Sequence, residues 1–193
     1  MGHEIWLIRH GRTEWSHTGR HTGRTDIPLD DVGEQQARAI AGILQGRTFD
    51  EVLVSPLVRA RATARAAGLD DDHLDPDLLE WDYGAWEGRT TPEIRIELGE
   101  PDWTIWSAPI PEGEQAEDVE IRAQRVLRRV EPTIANGGTV ALVAHGHLLR
   151  ILTAAWLGLP ARAGRLWALE PATISVLGYE HEQRVIRRWN AQG

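Results

Sequence analysis

Short apolar runs alternate along the chain with longer segments in which apolar residues recur every three or four positions. Runs of the first kind predict strands, and segments of the second kind predict helices. The predicted strands are 4–8, 51–54, 138–144, 173–179 and 183–189, and the predicted helices are 33–45, 56–67, 115–134 and 147–157. Strands that alternate with helices indicate an α/β domain with a largely parallel sheet.

Residues that can do chemistry follow three of these strands. Arg-His-Gly at 9–11 follows the first strand, and His-Gly at 145–146 follows the third. After the second strand, Ser55 is predicted to cap a helix whose first turn carries Arg59. One Arg-His-Gly step alone is typical of a solvated loop, but the repeat at a second strand end favours a functional role. Because ligands bind beyond the carboxyl ends of parallel strands, we expect these side chains to share a cavity.

Two histidines and two arginines, with no thiol in the chain, indicate phosphoryl chemistry. A neutral imidazole at His10 can attack phosphorus and form a phosphohistidine. The guanidinium groups of Arg9 and Arg59, with His145 if it is protonated, would spread positive charge over the phosphoryl oxygens. The N-terminus of the helix that carries Arg59 favours the same anion.

The leaving oxygen of such a reaction needs a proton, and a carboxylic acid is the usual donor. Glu80 opens a loop, 80–88, that holds three aromatic residues and two glycines. We take Glu80 as the candidate donor, with Asp82, two positions later, as the alternative.

Composition narrows the possible classes of protein. The 193 residues carry 21 basic side chains, all of them arginine, against 29 acidic ones, which gives a net charge of −8 with His neutral. So acidic a chain is not expected to bind nucleic acid or a membrane surface. The absence of Cys excludes disulfides, thiolate metal sites and Cys nucleophiles. With no recognisable secretory signal and no apolar run long enough to span a bilayer, we expect a cytoplasmic protein.

Four motifs, in order along the chain, resemble those of the histidine phosphatase (phosphoglycerate mutase-like) superfamily. They are Leu-Ile-Arg-His-Gly-Arg-Thr-Glu-Trp at 7–15, Ser-Pro-Leu-Val-Arg-Ala at 55–60 with Thr-Ala at 63–64, the loop 80–88, and Val-Ala-His-Gly at 143–146. The resemblance covers nearly the whole chain. It implies a three-layer α/β/α sandwich with a mostly parallel central sheet. It also implies a single domain over 1–193, in which 90–114 is a cap-like excursion over the active site.

The resemblance also implies roles for individual residues. His10 would be the nucleophile, Arg9, Arg59 and His145 would hold the phosphoryl group, and Glu80 would be the proton donor. Substrate contacts would come from Ser16, Thr22, Gly23, Tyr83 and Gly146. Ser16 stands where the common family pattern has Asn, and a Ser hydroxyl reaches less far toward a phosphate oxygen. The chemistry of the family needs no metal and no cofactor.

The stretch 15–26 resembles the branch of the family that contains sedoheptulose bisphosphatase and related bacterial acid phosphatases. The segment 90–113 carries five acidic residues against Arg95 alone, so we expect it to hold a second phosphate poorly. That property favours hydrolysis over mutase transfer. We therefore predict a metal-independent phosphomonoesterase that acts on a small phosphorylated metabolite, such as a sugar phosphate, through a phosphohistidine.

Three other hypotheses stay open from the sequence. One is phosphoryl transfer of the phosphoglycerate mutase type, and another is a catalytically inactive phosphate-binding protein on the same fold. The third is a metal hydrolase, because His145 with His147, and His17 with His21, have spacings that could suit a pair of metal ligands. Neither pair belongs to a recognisable set of ligands.

Overall fold

One five-stranded sheet runs through the protein, whose residues 3–192 are described by a computed structural model. Its strands are β1 (Glu4–Arg9), β2 (Glu51–Val54), β3 (Thr139–Ala144), β4 (Ile174–Glu180) and β5 (Gln183–Ala191). The order across the sheet is β2-β3-β1-β4-β5. Strands β1 and β2 each pair in parallel with β3, whereas β4 pairs antiparallel with both β1 and β5. Four of the five strands therefore run in the same direction, which confirms the predicted α/β fold with a mostly parallel sheet.

The helices cover both faces of this sheet. They are α1 (Glu14–His17), α2 (Asp31–Leu44), α3 (Val58–Ala66), α4 (Thr91–Leu98), α5 (Ala116–Ala135) and α6 (Gly146–Trp156). Successive side chains of β1 point to opposite faces, so Ile5 and Leu7 pack with α5 and α6, and Trp6 and Ile8 pack with α2 and α3. Two separate apolar cores, one on each face, hold the three layers together. Within 3–192, no helix combines the length and the apolar character needed to cross a bilayer.

The start of α3 differs from the sequence prediction. The helix begins at Val58 with Leu57 at its N-cap, so Ser55 does not cap it. The buried hydroxyl of Ser55 instead accepts a hydrogen bond of 2.7 Å from the ring of His145. The carboxylate of Asp26, from a distant loop, accepts from the N–H of Val58 at 2.8 Å and caps α3 in its place.

The segment 90–113 has a structure that the sequence analysis missed. It contains α4, which starts with a capping box between Thr90 and Glu93 and ends at Gly99 in the left-handed conformation. The segment buries five apolar residues in the core, namely Ile94, Trp103, Ile105, Trp106 and Ile110. Its five acidic residues, by contrast, are all exposed. The acidity of the segment therefore lies on the outside of the protein, and none of its acidic side chains lines the cavity described below.

Two glycines of α2 make a matched test of how this helix supports the loop after β1. A Cβ on Gly33 would overlap the carbonyl oxygen of Arg12, whereas a Cβ on Gly42 would meet nothing within 4 Å. We expect Gly33→Ala to destabilise the fold by about 1–3 kcal/mol, because the loop has to move away from the helix. Gly42→Ala should stabilise it by roughly 0.5–1 kcal/mol through helix propensity. Urea denaturation of both variants would measure this difference, and equal effects would contradict the contact.

Candidate active site

The backbone around His10 continues the sheet beyond the end of β1. The N–H of His10 donates to the carbonyl of Ala144, and its own carbonyl accepts from the N–H of Ala172, both at 3.0 Å. The next residue, Gly11, donates its N–H to the hydroxyl of Thr63 on α3 at 3.0 Å. The main chain that carries this side chain is therefore fixed on three sides.

The ring of His10 is held in one tautomer. Its Nδ1 donates to the carbonyl of Gly11 at 2.7 Å, so Nε2 carries a lone pair and no proton. Burial lowers the pKa of this imidazole well below its usual value, and the positive charges of Arg59 and Arg9 lower it further. The result is a neutral imidazole that can act as a nucleophile.

Arg9 brings a buried cation with incomplete hydrogen bonding. One terminal amino group donates to the carbonyl of Leu169, while the buried Nε has no partner in the described part of the chain. A Cβ on Gly146 would lie 3.2 Å from the Cζ of Arg9, so the guanidinium fits because position 146 is Gly. Burial lowers the pKa of Arg9, and a bound anion would supply both the missing acceptor and the missing charge.

Arg59 is fully buried and holds a loop by its main chain. Its terminal amino groups donate to the carbonyls of Thr22, Gly23 and Thr25 at 3.2, 3.0 and 2.9 Å, and its Nε donates to Nδ1 of His145 at 3.2 Å. These four bonds use four of the five guanidinium N–H groups and leave one on Nη1. Burial lowers the pKa of Arg59 as well.

His145 is neutral in this arrangement. Its Nδ1 accepts from Arg59, so Nε2 carries the proton and donates to Ser55. Burial lowers the pKa of the ring well below its usual value, and the charge of Arg59 adds to this effect. The centre of the ring lies 5.1 Å from that of His10. The sequence analysis considered a protonated His145, and the observed hydrogen bonds favour the neutral form.

Glu80 is buried against the start of α6. One carboxylate oxygen accepts from the N–H groups of Trp81 and Leu148, both at 2.9 Å, and the other accepts from the N–H of His147 at 3.0 Å. The free N–H groups at a helix N-terminus favour such a carboxylate. The side chain is thereby fixed at the same end of the sheet as His10.

Arg122 of α5 holds the loop that carries Glu80 through hydrogen bonds to main-chain carbonyls. Arg122 donates to the carbonyls of Asp77 and Leu79 at 2.8 and 2.9 Å, and to both carboxylate oxygens of Glu114 at 2.6 and 2.8 Å. The sequence analysis did not identify this buried pair. Asp82, the alternative proton donor, faces Arg24 at 3.6 Å and does not line the cavity described next.

A cavity of about 200 Å³ opens at this end of the sheet. Seven of the residues singled out from the sequence line it, namely Arg9, His10, Ser16, Thr22, Glu80, Tyr83 and Gly146. The remaining lining residues, which the sequence analysis did not place there, are Gly19, Arg20, His21, His147, Arg150 and Leu169. Three further candidates, Arg59, His145 and Gly23, lie behind the lining. Glu80 is the only carboxylate among the residues that line the cavity.

The candidates for substrate contact already have partners within the protein. The hydroxyl of Ser16 donates to the carbonyl of Thr13 at 3.0 Å and accepts from its N–H at 2.9 Å. Thr22 donates to a carbonyl of its own loop at 3.1 Å. Gly23 donates its N–H to the carboxylate of Glu87 and has no room for a side chain, because a Cβ would lie 2.5 Å from a backbone oxygen. Gly23 thus shapes the loop behind the cavity.

Tyr83 belongs to a group of rings that the sequence analysis did not foresee. Its hydroxyl and Nδ1 of His147 share a hydrogen bond of 2.6 Å, and the ring of His21 lies 5.0 Å away, centre to centre. Burial raises the pKa of Tyr83 and lowers that of His147, and it lowers the pKa of His21 to about 4. All three rings are therefore neutral near pH 7. The His-Gly-His sequence at 145–147 was the available signal for His147.

In the described part of the chain, neither proposed pair of histidines belongs to a group of three His, Asp or Glu side chains that could share an ion. Both ring nitrogens of His145 are engaged, and Nδ1 of His147 is bonded to Tyr83. Among residues 3–192, the one group of three His, Asp or Glu side chains close enough to share an ion is Asp70, Asp71 and Asp72, and none of these lines the cavity.

The chain is similar to several known proteins. A family model described as the histidine phosphatase superfamily (branch 1) matches residues 5–192. An acid phosphatase of Mycobacterium tuberculosis is 39% identical over 184 residues, which cover 94% of this chain and 89% of that protein. The sedoheptulose 1,7-bisphosphatase of Saccharomyces cerevisiae is 34% identical over 182 residues, or 79% of this chain and 67% of that protein. The solved structure of an open reading frame product of Mycobacterium tuberculosis has a TM-score of 0.93 and 36% identity, covering 100% of this chain and 99% of that chain.

The protonation state of His10 can be measured directly. We expect its ring to remain neutral below pH 6.5, with the proton on Nδ1, because burial and two guanidinium groups oppose a second proton. Nitrogen-15 NMR of histidine-labelled protein, assigned by comparison with His10→Asn, would report both the charge and the tautomer. A cationic ring at pH about 6, or a proton on Nε2 of the neutral ring, would contradict this geometry.

Proposed function

Since the chain belongs to the histidine phosphatase superfamily and is a phosphatase, we propose that it hydrolyses small phosphate monoesters through a phosphohistidine on His10. The observation that carries this proposal is the Nδ1–H bond of His10, which leaves Nε2 as a buried, neutral nucleophile. The incompletely bonded cation of Arg9 and the carboxyl group of Glu80 line the same cavity. Sugar phosphates and similar metabolites are of a suitable size and charge.

In the proposed first step, the lone pair on Nε2 of His10 attacks phosphorus, and the bond from phosphorus to the leaving oxygen breaks. The leaving oxygen takes a proton from the carboxyl group of Glu80. Arg9 binds the phosphoryl oxygens, because its Nε–H has no other acceptor among residues 3–192. The hydrogen bond from Nδ1 to Gly11 stabilises the positive charge that the ring acquires.

Arg59 can also bind a phosphoryl oxygen, because its four hydrogen bonds leave one N–H on Nη1 free. Its charge also lies next to the reacting ring, where it stabilises the transferred anion. For His145, direct contact with a phosphoryl oxygen requires that one of its two existing ring bonds break. Its role as a phosphoryl ligand stays a prediction, as do the substrate contacts of Ser16, Thr22, Tyr83 and Gly146.

In the second step, Glu80, now a carboxylate, takes a proton from a water molecule. The water oxygen attacks phosphorus, the bond between phosphorus and Nε2 breaks, and inorganic phosphate leaves. His10 and the protonated Glu80 are thereby restored. The same two groups serve both steps, so the cycle consumes only the ester and water.

The proposal also covers the domain organisation and the role of the segment 90–114. We propose that residues 1–193 act as one domain, with 90–114 as a cap beside the cavity. Trp103 and Trp106 of this segment lie behind His21 and His147, with ring centres 6.3 and 5.0 Å apart, respectively. A cytoplasmic location, and the lack of nucleic-acid and membrane partners, stay predictions.

The covalent intermediate gives the first test of the reaction. Rapid acid-free quenching of wild-type enzyme with a phosphorus-32 ester should trap label on His10, with the acid lability of a phosphoramidate. His10→Ala should lose both the label and more than about 10³-fold of kcat while keeping its fold, because the nucleophile is removed. His17→Asn, on the exposed helix α1, is the matched control and should behave as wild type. Full activity of His10→Ala would exclude the mechanism, and a wild type that turns over no ester would favour the inactive binding protein.

The proton donor can be tested through the leaving group. Glu80→Gln keeps the shape but cannot donate a carboxyl proton, so we expect losses of about 10²–10⁴-fold in kcat for alkyl esters. Aryl esters such as p-nitrophenyl phosphate, whose leaving oxygen needs little protonation, should lose far less. The matched control is Asp82→Asn, which should leave both classes of ester nearly unchanged. Equal losses of Glu80→Gln on alkyl and aryl esters would argue against the role as donor.

A further inference from the structure

We propose that the cavity favours phosphate esters that carry a second acidic group, and that Arg150 of α6 binds this group. The inference rests on the proposed function, because it concerns the part of the substrate that does not react. It concerns four further residues that line the cavity, Arg20, His21, His147 and Arg150, to which the proposed reaction gives no role.

The arginines of the cavity differ from most others in the protein. Eleven arginines elsewhere form ion pairs with Asp or Glu. In the part of the chain that the structure describes, Arg9, Arg20 and Arg150 have no carboxylate within ion-pairing distance. In a chain with a net charge of −8, three unneutralised cations around one cavity form a local positive field.

Of the two arginines of the lining that the proposed reaction does not use, Arg20 is exposed, whereas Arg150 is half-buried and held in place. Its Nε donates to the carbonyl of Gly164 at 2.8 Å, and its Cζ lies 4.8 Å from the ring centre of Trp106. The carbonyl and the indole orient the guanidinium without neutralising it. Both terminal amino groups lack a partner among residues 3–192, and burial lowers the pKa of this side chain. A fork of two free N–H donors suits a carboxylate or a phosphate.

The count of charges leads to the same inference. Arg9, Arg20 and Arg150 bring three positive charges to the lining, and Glu80, the one acidic group there, is the protonated donor in the proposed first step, so three positive charges face the ester as it binds. The histidines of the cavity are neutral. A phosphate dianion neutralises two of the three charges, which leaves one for a further acidic group of the substrate. The acidic residues of 90–113 do not provide it, because none of them lines the cavity.

Two pairs of esters test the preference and distinguish its chemical source. 3-Phosphoglycerate differs from glycerol 1-phosphate by a carboxylate in place of a hydroxymethyl group, and fructose 1,6-bisphosphate differs from fructose 6-phosphate by a second phosphate. We expect wild-type kcat/KM to favour the more acidic ester about 10–100-fold in at least one pair, as a charge-assisted hydrogen bond provides. The pair that shows the preference identifies a carboxylate or a phosphate as the group bound. No preference in either pair would overturn the inference without any variant.

Arg150→Gln should abolish the preference, because its loss of kcat/KM on the more acidic ester should exceed its loss on p-nitrophenyl phosphate, which has no second acidic group, by about 10-fold or more. Arg150→Lys should restore part of the preference, and Arg165→Gln, an exposed arginine nearby in sequence, is the matched control. Equal losses on all esters would show that Arg150 is only structural and would overturn the inference. If the wild type hydrolyses none of these esters, including p-nitrophenyl phosphate, the proposed function fails and the inference fails with it.

Discussion

The parallel pairing of β1 with β3 is the constraint on which the site depends. Its register sets Arg9 opposite Ala144, so the two residues that follow, His10 and His145, leave the sheet side by side. The pairing of β2 with β3 then brings Ser55 within hydrogen-bonding distance of the second ring. A shift of one residue between β1 and β3 would send these side chains to opposite faces of the sheet. The reacting geometry is thus a direct product of backbone hydrogen bonds in the core.

Two buried charges at the site are stabilised mainly by main-chain dipoles. Arg59 donates to carbonyl oxygens, and Glu80 accepts from N–H groups at the start of α6. Main-chain groups do not titrate. The dipoles that stabilise these charges therefore stay the same while the reacting groups gain or lose charge. Three buried side-chain nitrogens lack a partner among residues 3–192, and the Nε of Arg9 is the one that belongs to a charged group, which suits a bound anion.

Much of the fold was predictable from the sequence, because period-two and period-3.6 patterns report which face of an element is buried. The convergence of His10, Glu80 and Arg9 on one cavity also followed from the residues at strand ends and from the family motifs. Side-chain direction was not predictable. Ser55, whose position before Pro56 is typical of a helix N-cap, instead bonds to a histidine 90 positions away. The sequence also did not indicate that Arg150 of α6 lines the cavity. The location of the acidic side chains of 90–113 was not predictable for the same reason, since charge counted along a segment does not tell which face it occupies.

The way in which Arg59 holds the loop 22–25 has a consequence for how this type of enzyme can diversify. The bonds of Arg59 to this loop all go to carbonyl oxygens, so they do not depend on the side chains of the loop, in which only Gly23 has no room for one. An exposed neighbouring position such as Arg20 can therefore be exchanged without loosening these bonds. Substrate specificity can therefore change while the reacting residues stay the same, because different residues bind the substrate and cleave its phosphate ester.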